Sequence, residues 1–405
     1  MSLTDRQDRL RPLLSINHLH RCIKQQETTT AYASVTPPHM TTTNQRPMQA
    51  LVGLMSTIVL VLFAALFPSY SFFRLPIPRT TVRESTWFLP RAPRLRLYSH
   101  IIPPEHGHFS QSNVSLRDFI LHPDGIHLAI APAFFGFFAQ FGAMQAWDDA
   151  MSSTEFDVLH TQIKSLAGAS SGAMTAVLLS SGIRPSTAVE FCQSVTVDKF
   201  ADPPGIFAVF KGHLFHDIMH DFMRQEQPDH SLQLQDGKIP VAITAFDLKS
   251  MTGKILTQGS MPLAARASAC FPFLFQPVEW KDDKDSYYFV DGGLGDVWGL
   301  EGLAAFPSDT RKPKRVVHMT VGESGAYMGP STMPEGVAVS EVVSISIRST
   351  PMAGPLAMEN GPRAVVASRL AMLAALDLPM YKGAESGHYI INIDTTEFIP
   401  STEQK

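Results

Sequence analysis

The chain has 405 residues, 44% of them hydrophobic, with 33 Lys and Arg against 37 Asp and Glu for a formal net charge of -4. That balance argues against a nucleic-acid partner, which calls for a basic face, and the length suits one core of about 250 residues with accessory segments or two smaller domains. Three cysteines, Cys22, Cys192 and Cys270, are too few and too scattered for a disulfide framework or a thiolate metal cluster.

Residues 1–50 are rich in Thr, Gln, Arg and Pro and lack a sustained apolar period, which predicts a polar, disordered N-terminal segment. Residues 51–73 follow without a charge. At 1.5 Å per helical residue such a stretch matches a hydrocarbon layer about 30 Å thick, so a single membrane-spanning or targeting segment is expected; the alternative is a helix buried against a globular domain. Residues 74–125 read as a basic, Pro-rich linker and lead-in. Within 74–96, Arg74, Arg79, Arg83, Arg91, Arg94 and Arg96 stand against Glu84 alone, a bias that places the domain beyond them on the cytoplasmic side of a single-pass protein.

From residue 126 short branched runs alternate with helix-like stretches. Strands are predicted at 126–130, 241–246, 316–321, 342–347 and 389–393, and helices at 137–150, 172–180, 262–269 and 363–376. Several strands are apolar on both faces, which predicts a layered α/β domain over 126–400 with a largely parallel central sheet.

Two motifs carry chemistry. In Gly168-Ala-Ser170-Ser171-Gly172 a serine lies between glycines two removes away, directly before a small-residue helix. Such a serine suits a sharp strand-to-helix turn that exposes its hydroxyl, although the same residues also build ordinary turns and helix caps. In Tyr287-Tyr-Phe-Val-Asp291-Gly292-Gly293 a strand ends on a carboxylate at a sharp turn. Asp-Gly-Gly is a common turn too, but a serine that attacks a carbonyl needs a base about 3 Å away, and Asp291 is a candidate.

Residues 126 to about 300 resemble the patatin-like phospholipases, lipid acyl hydrolases with a Ser–Asp dyad. The resemblance rests on Gly168–Gly172, on Asp291–Gly293 and on Arg266-Ala-Ser268 with the Pro-containing stretch after it. It implies a layered patatin-like fold, Ser170 as nucleophile, Asp291 as base, an acyl-serine intermediate, and neither cofactor nor metal. A lipid substrate and a membrane surface are the implied partners. Phospholipids or related polar lipids are the expected substrates, with triacylglycerol hydrolysis, acyl transfer or non-catalytic lipid binding as alternatives.

One block departs from the family pattern. Where the family places a glycine-rich loop with a following basic residue, this chain has Ala131-Pro-Ala-Phe-Phe-Gly136-Phe-Phe-Ala-Gln-Phe-Gly142. Pro132 has no N–H, so backbone donors at Ala133, Phe134, Phe135 and Gly136, with Ser171 after the nucleophile, are the expected oxyanion hole. Phe134, Phe137 and Phe138 are candidates for an acyl pocket or for core packing. His213, His216 and His220, with Asp217, share a helical face at a spacing open to a metal, though a solvated or locally hydrogen-bonded group is the plainer expectation. Cys270, in an apolar run, reads as a small core residue.

Overall fold

The computed structural model describes residues 101–104, 109–202, 204, 208–281, 285–306, 312–322 and 327–400. The expected N-terminal segment 1–50, the apolar segment 51–73 and the arginines of 74–96 lie outside the described residues. Among the described residues no helix is long and apolar enough to cross a membrane. The longest runs 16 residues, about 24 Å against a hydrocarbon layer of about 30 Å. The transmembrane helix and the single-pass placement expected from the sequence are corrected accordingly.

Among the described residues eleven strands form one sheet: β1 (Ser110–Ser115), β2 (Ile126–Ile130), β3 (Ile163–Ala169), β4 (Val241–Asp247), β5 (Thr252–Leu256), β6 (Val278–Lys281), β7 (Ser286–Val290), β8 (Lys314–Val321), β9 (Val339–Arg348), β10 (Pro379–Lys382) and β11 (His388–Asp394). Their order is β1-β10-β11-β9-β8-β2-β3-β4-β7-β6, and β5 pairs with β4 off this path. From β11 to β4 the neighbours are parallel. Both margins are antiparallel. The α/β fold with its largely parallel centre is therefore as the sequence predicts. Residues 110–120, read as lead-in, belong to it: β1 pairs with β10, and α1 (Leu116–Ile120) buries Leu116, Phe119 and Ile120.

The remaining helices are α2 (Phe137–Met151), α3 (Val158–Gln162), α4 (Ser171–Ser180), α5 (Pro185–Ser194), α6 (Val197–Phe200), α7 (His213–Glu226), α8 (Met261–Ser268) and α9 (Asn360–Ala375). The two-residue period of the strands sorts side chains to two faces. Leu128, Leu166, Val317 and Val343 enter the large core beneath the helices. Ala129, Ala167, Val316 and Val342 enter a smaller cluster closed by Leu300, Leu303 and Met328. Helix α4 is buried on every side, which explains its Ala, Val and Leu composition.

Candidate active site

The register of β4 brings two distant pieces of sequence together. One edge of β4 carries β5 from Ile243 to Asp247. The other edge carries β3, paired up to Ala169↔Thr244, and then β7, paired at Phe246↔Val290 and Asp247↔Phe289. Because β3 is parallel to β4 and β7 antiparallel, they run toward each other along that edge, with Ala245 alone between their registers. Ser170 is the next residue after β3, and Asp291 the next after β7. Their side chains meet: Ser170 Oγ donates to Asp291 Oδ2 at 2.7 Å across 121 positions of sequence.

The turn at Ser170 is tight. Ser170 has φ 53° and ψ -121°, a conformation rare for a residue with a Cβ, and the surroundings must hold it there. Its N–H donates to Ser268 Oγ at 2.8 Å, and that hydroxyl donates to the Thr244 carbonyl at 2.6 Å. Ser268, the last residue of α8, thus ties the turn to β4. A Cβ on Gly172 would collide with the Ile130 carbonyl, and one on Gly168 with the Gly172 backbone, so both glycines serve close approach of backbones. Ser170 remains half-buried, within reach of solvent.

Asp291 is 6% exposed. Its Oδ1 accepts from the Gly293 N–H at 2.8 Å, and its own N–H donates to the Cys270 carbonyl at 2.9 Å. Burial pushes the carboxyl up to about 6, against the opposing pull of the bonds from Ser170 and Gly293. A Cβ on Gly292 would strike the Thr244 carbonyl. Both residues after the aspartate therefore have structural work: one lets the turn approach β4, and the other supplies a donor. Cys270 is core as expected, its thiol pushed up to about 12 by burial.

The loop after β2 reaches the residues that follow each member of this pair, Ala133 meeting Ser171 and Pro132 lying beside Gly293, and it corrects two expected donors. Ala133 N–H is engaged by Ser171 Oγ at 3.0 Å. Gly136 N–H closes a turn onto the Ala133 carbonyl at 3.0 Å. The N–H groups of Phe134, Phe135 and Ser171 have no hydrogen-bond partner among the described residues. Phe135 holds φ 51°, so the loop keeps a left-handed residue even though the family's glycine is absent. Gln140, wholly buried on α2, donates to the Ala131 carbonyl at 3.1 Å and to Ser171 Oγ at 3.2 Å, while its Oε1 accepts from Thr175 Oγ1 at 2.8 Å.

Phe138 is not a pocket wall. It is 1% exposed, and its ring lies against Gly361 of α9. Phe134 and Phe137 are half-buried. Phe134 meets Phe135 at 5.0 Å between ring centres and Phe271 at 5.6 Å, and Phe135 continues to Phe137 and Phe200. The histidines lie on α7: His213 Nδ1 is 3.4 Å from the Arg266 guanidinium, and the His216 and His220 rings are 6.3 Å apart. Among the described residues no group of three His, Cys, Asp or Glu side chains is arranged to hold a metal.

Sequence reasoning named Ser170, Asp291 and Ser171 but missed Ser268 and Gln140. The Arg266-Ala-Ser268 block was the available signal for the first. For Gln140 the signal was one polar residue in an apolar helix, which periodicity does not separate from an exposed position.

A serine on a strained strand-to-helix turn opposite a buried carboxylate is the arrangement of an acyl-transferring hydrolase. The model of the patatin-like phospholipase family matches residues 133–303, and that stretch is a patatin-like phospholipase domain, of the hydrolase class. Among solved structures the chain is similar to VipD from Legionella pneumophila, with 13% identity over 68% of this chain and 70% of that one and a TM-score of 0.40. It is also similar to the structure of full-length SpcU in complex with full-length ExoU from the type III secretion system of Pseudomonas aeruginosa. There the identity is 14% over 77% of this chain and 64% of the matched one, with a TM-score of 0.34. No curated protein sequence matches the chain.

Proposed function

We propose that the chain is a lipid acyl hydrolase that cleaves fatty acyl esters of phospholipids or related polar lipids, with Ser170 as nucleophile and Asp291 as base. The observation that carries this reading is the 2.7 Å bond from Ser170 Oγ to the buried Asp291 carboxylate. As Oγ attacks the ester carbonyl, its proton passes to Asp291 Oδ2. The N–H groups of Phe134, Phe135 and Ser171 are the donors left to hold the developing oxyanion. Collapse breaks the ester C–O bond, the departing alcohol takes the proton from Asp291, and the acyl chain stays on Ser170. Water then gives its proton to Asp291 and attacks the acyl carbonyl, releasing the fatty acid and returning the proton to Oγ. The rings of Phe134, Phe135, Phe137 and Phe271 support an apolar acyl group beside the serine.

The test is mass-spectrometric measurement of fatty acid released from long-chain phospholipid and galactolipid in mixed micelles. Wild type is expected to deacylate at least one of them, and Ser170→Ala and Asp291→Asn are expected to lose turnover by at least about a hundredfold. Equal turnover by wild type and both variants would rule out the dyad.

A further inference from the structure

We infer that Gln140 is the positioning residue of the oxyanion loop, locking residues 131–136 onto the helix that begins beside the nucleophile. The inference rests on the hydrolase reading for its catalytic consequence, but its structural content stands apart. Gln140 has no solvent exposure and uses both ends of its amide. Its Nε2 donates to the Ala131 carbonyl and to Ser171 Oγ, and its Oε1 accepts from Thr175 Oγ1. The orientation of the amide is determined, because the Ala131 carbonyl can only accept and so must face the nitrogen. Ser171 Oγ, so held, accepts the Ala133 N–H.

The consequence is a division of labour among the backbone donors. On the near side of the loop Ala131 N–H is taken by the Met319 carbonyl of β8, and Pro132 has none to give. Ala133 N–H is taken by Ser171, and Gly136 N–H by the Ala133 carbonyl. Phe134 and Phe135 keep theirs, and Phe135 does so at φ 51° without a glycine's freedom. A loop with little glycine needs an outside clamp to hold such a conformation. The clamp runs from α2 through Gln140 to α4, so the loop is fixed to the same helix whose first N–H, that of Ser171, would share the oxyanion.

Gln140→Met keeps the side-chain volume and removes the amide; Thr175→Val keeps Gln140 but removes the hydroxyl that donates to its Oε1. Both are measured in the full chain with a long-chain acyl ester, with the matching thionoester, and by amide hydrogen exchange. Sulfur is a poor hydrogen-bond acceptor, so the thionoester draws little from the oxyanion donors. Gln140→Met is expected to lower kcat on the oxoester roughly 10- to 100-fold with KM within about twofold, to lower the thionoester rate less, and to leave the midpoint of the pH profile in place. Amide exchange at Ala133 and Gly136 should quicken, and Thr175→Val should show the same changes in smaller measure. The inference is overturned if exchange at those two amides is unchanged in both folded variants, or if the loss falls equally on both esters and moves the pH midpoint, since that marks an effect on the nucleophile. Should wild type turn over neither ester, the hydrolase reading fails, and the exchange of Ala133 and Gly136 alone decides the clamp.

Discussion

Asp291 combines two demands that pull against each other. As the proposed base it must be ionised to take the Ser170 proton, yet burial raises this carboxyl from 3.8 to about 6. Activity is therefore expected to rise with pH through a midpoint near 6 and to level off above it, which a kcat/KM profile measures. The same shift costs stability. The native state holds the proton up to about pH 6, whereas the unfolded chain releases it near 3.8, so the native state binds more protons in that window and stability falls as pH rises through it. The shortfall above pH 6 is about 3 kcal/mol. Asp291→Asn removes that cost while its amide can still accept from Gly293 and donate to Ser170. It is expected to unfold at higher denaturant than wild type at pH 8 while losing turnover by at least about a hundredfold. His127 and His318, both lowered to about 4 by burial, act in the opposite sense between pH 6.5 and 4, so the two proteins are compared at one pH. Equal stability of variant and wild type at pH 8 would contradict the assignment of the buried charge.

At the scale of elements, the site depends on how three chain segments end against β4. The ends of β3 and β7 face each other along one edge of that strand, and the last residue of α8 closes the gap with Ser268. Ser268→Ala leaves the Ser170 N–H and the Thr244 carbonyl without their partner. A cost of about 1–3 kcal/mol in stability is expected by analogy with other buried polar groups left unpaired. Ser170 is then free to relax from φ 53°, and labelling by a fluorophosphonate ester is expected to slow by at least about tenfold. Unaltered labelling of Ser268→Ala would mean the turn holds without that hydroxyl. Of the central strands, β2, β4, β8, β9 and β11 were legible from sequence in their centres, because they are branched runs buried on both faces, whereas β3, with the sequence IKSLAGA, was not among the predicted strands. The marginal strands β1, β6 and β10 were not: they span four to six residues, too few to establish a period, and gain their structure from a neighbour already in place.

For the whole molecule, the sheet begins before the residue at which alternation becomes visible. Leu116, Phe119 and Ile120 of α1 are buried, and β1 covers the edge of β10. Removing residues 1–125 withdraws three core side chains worth roughly 1.5–3 kcal/mol each, which together rival the entire stability of an ordinary domain. A fragment of residues 126–405 is therefore expected to lose cooperative unfolding, followed by circular dichroism in urea, whereas 101–405 is expected to keep it. Equal midpoints for the two would show that β1 and α1 are dispensable. The sequence by itself determined what is local: a serine turn bracketed by glycines, a strand ending in Asp-Gly-Gly, and runs whose period set an α/β class. Each is written in neighbouring residues through sterics and side-chain spacing. Only the tertiary structure decided that Ser170 and Asp291 touch, that Ala133 and Gly136 have no N–H to offer a substrate, and that Phe138 belongs to the core. Those outcomes depend on which edge of β4 each strand occupies and on a buried amide arriving from another helix, contacts between residues far apart in the chain that no local pattern encodes.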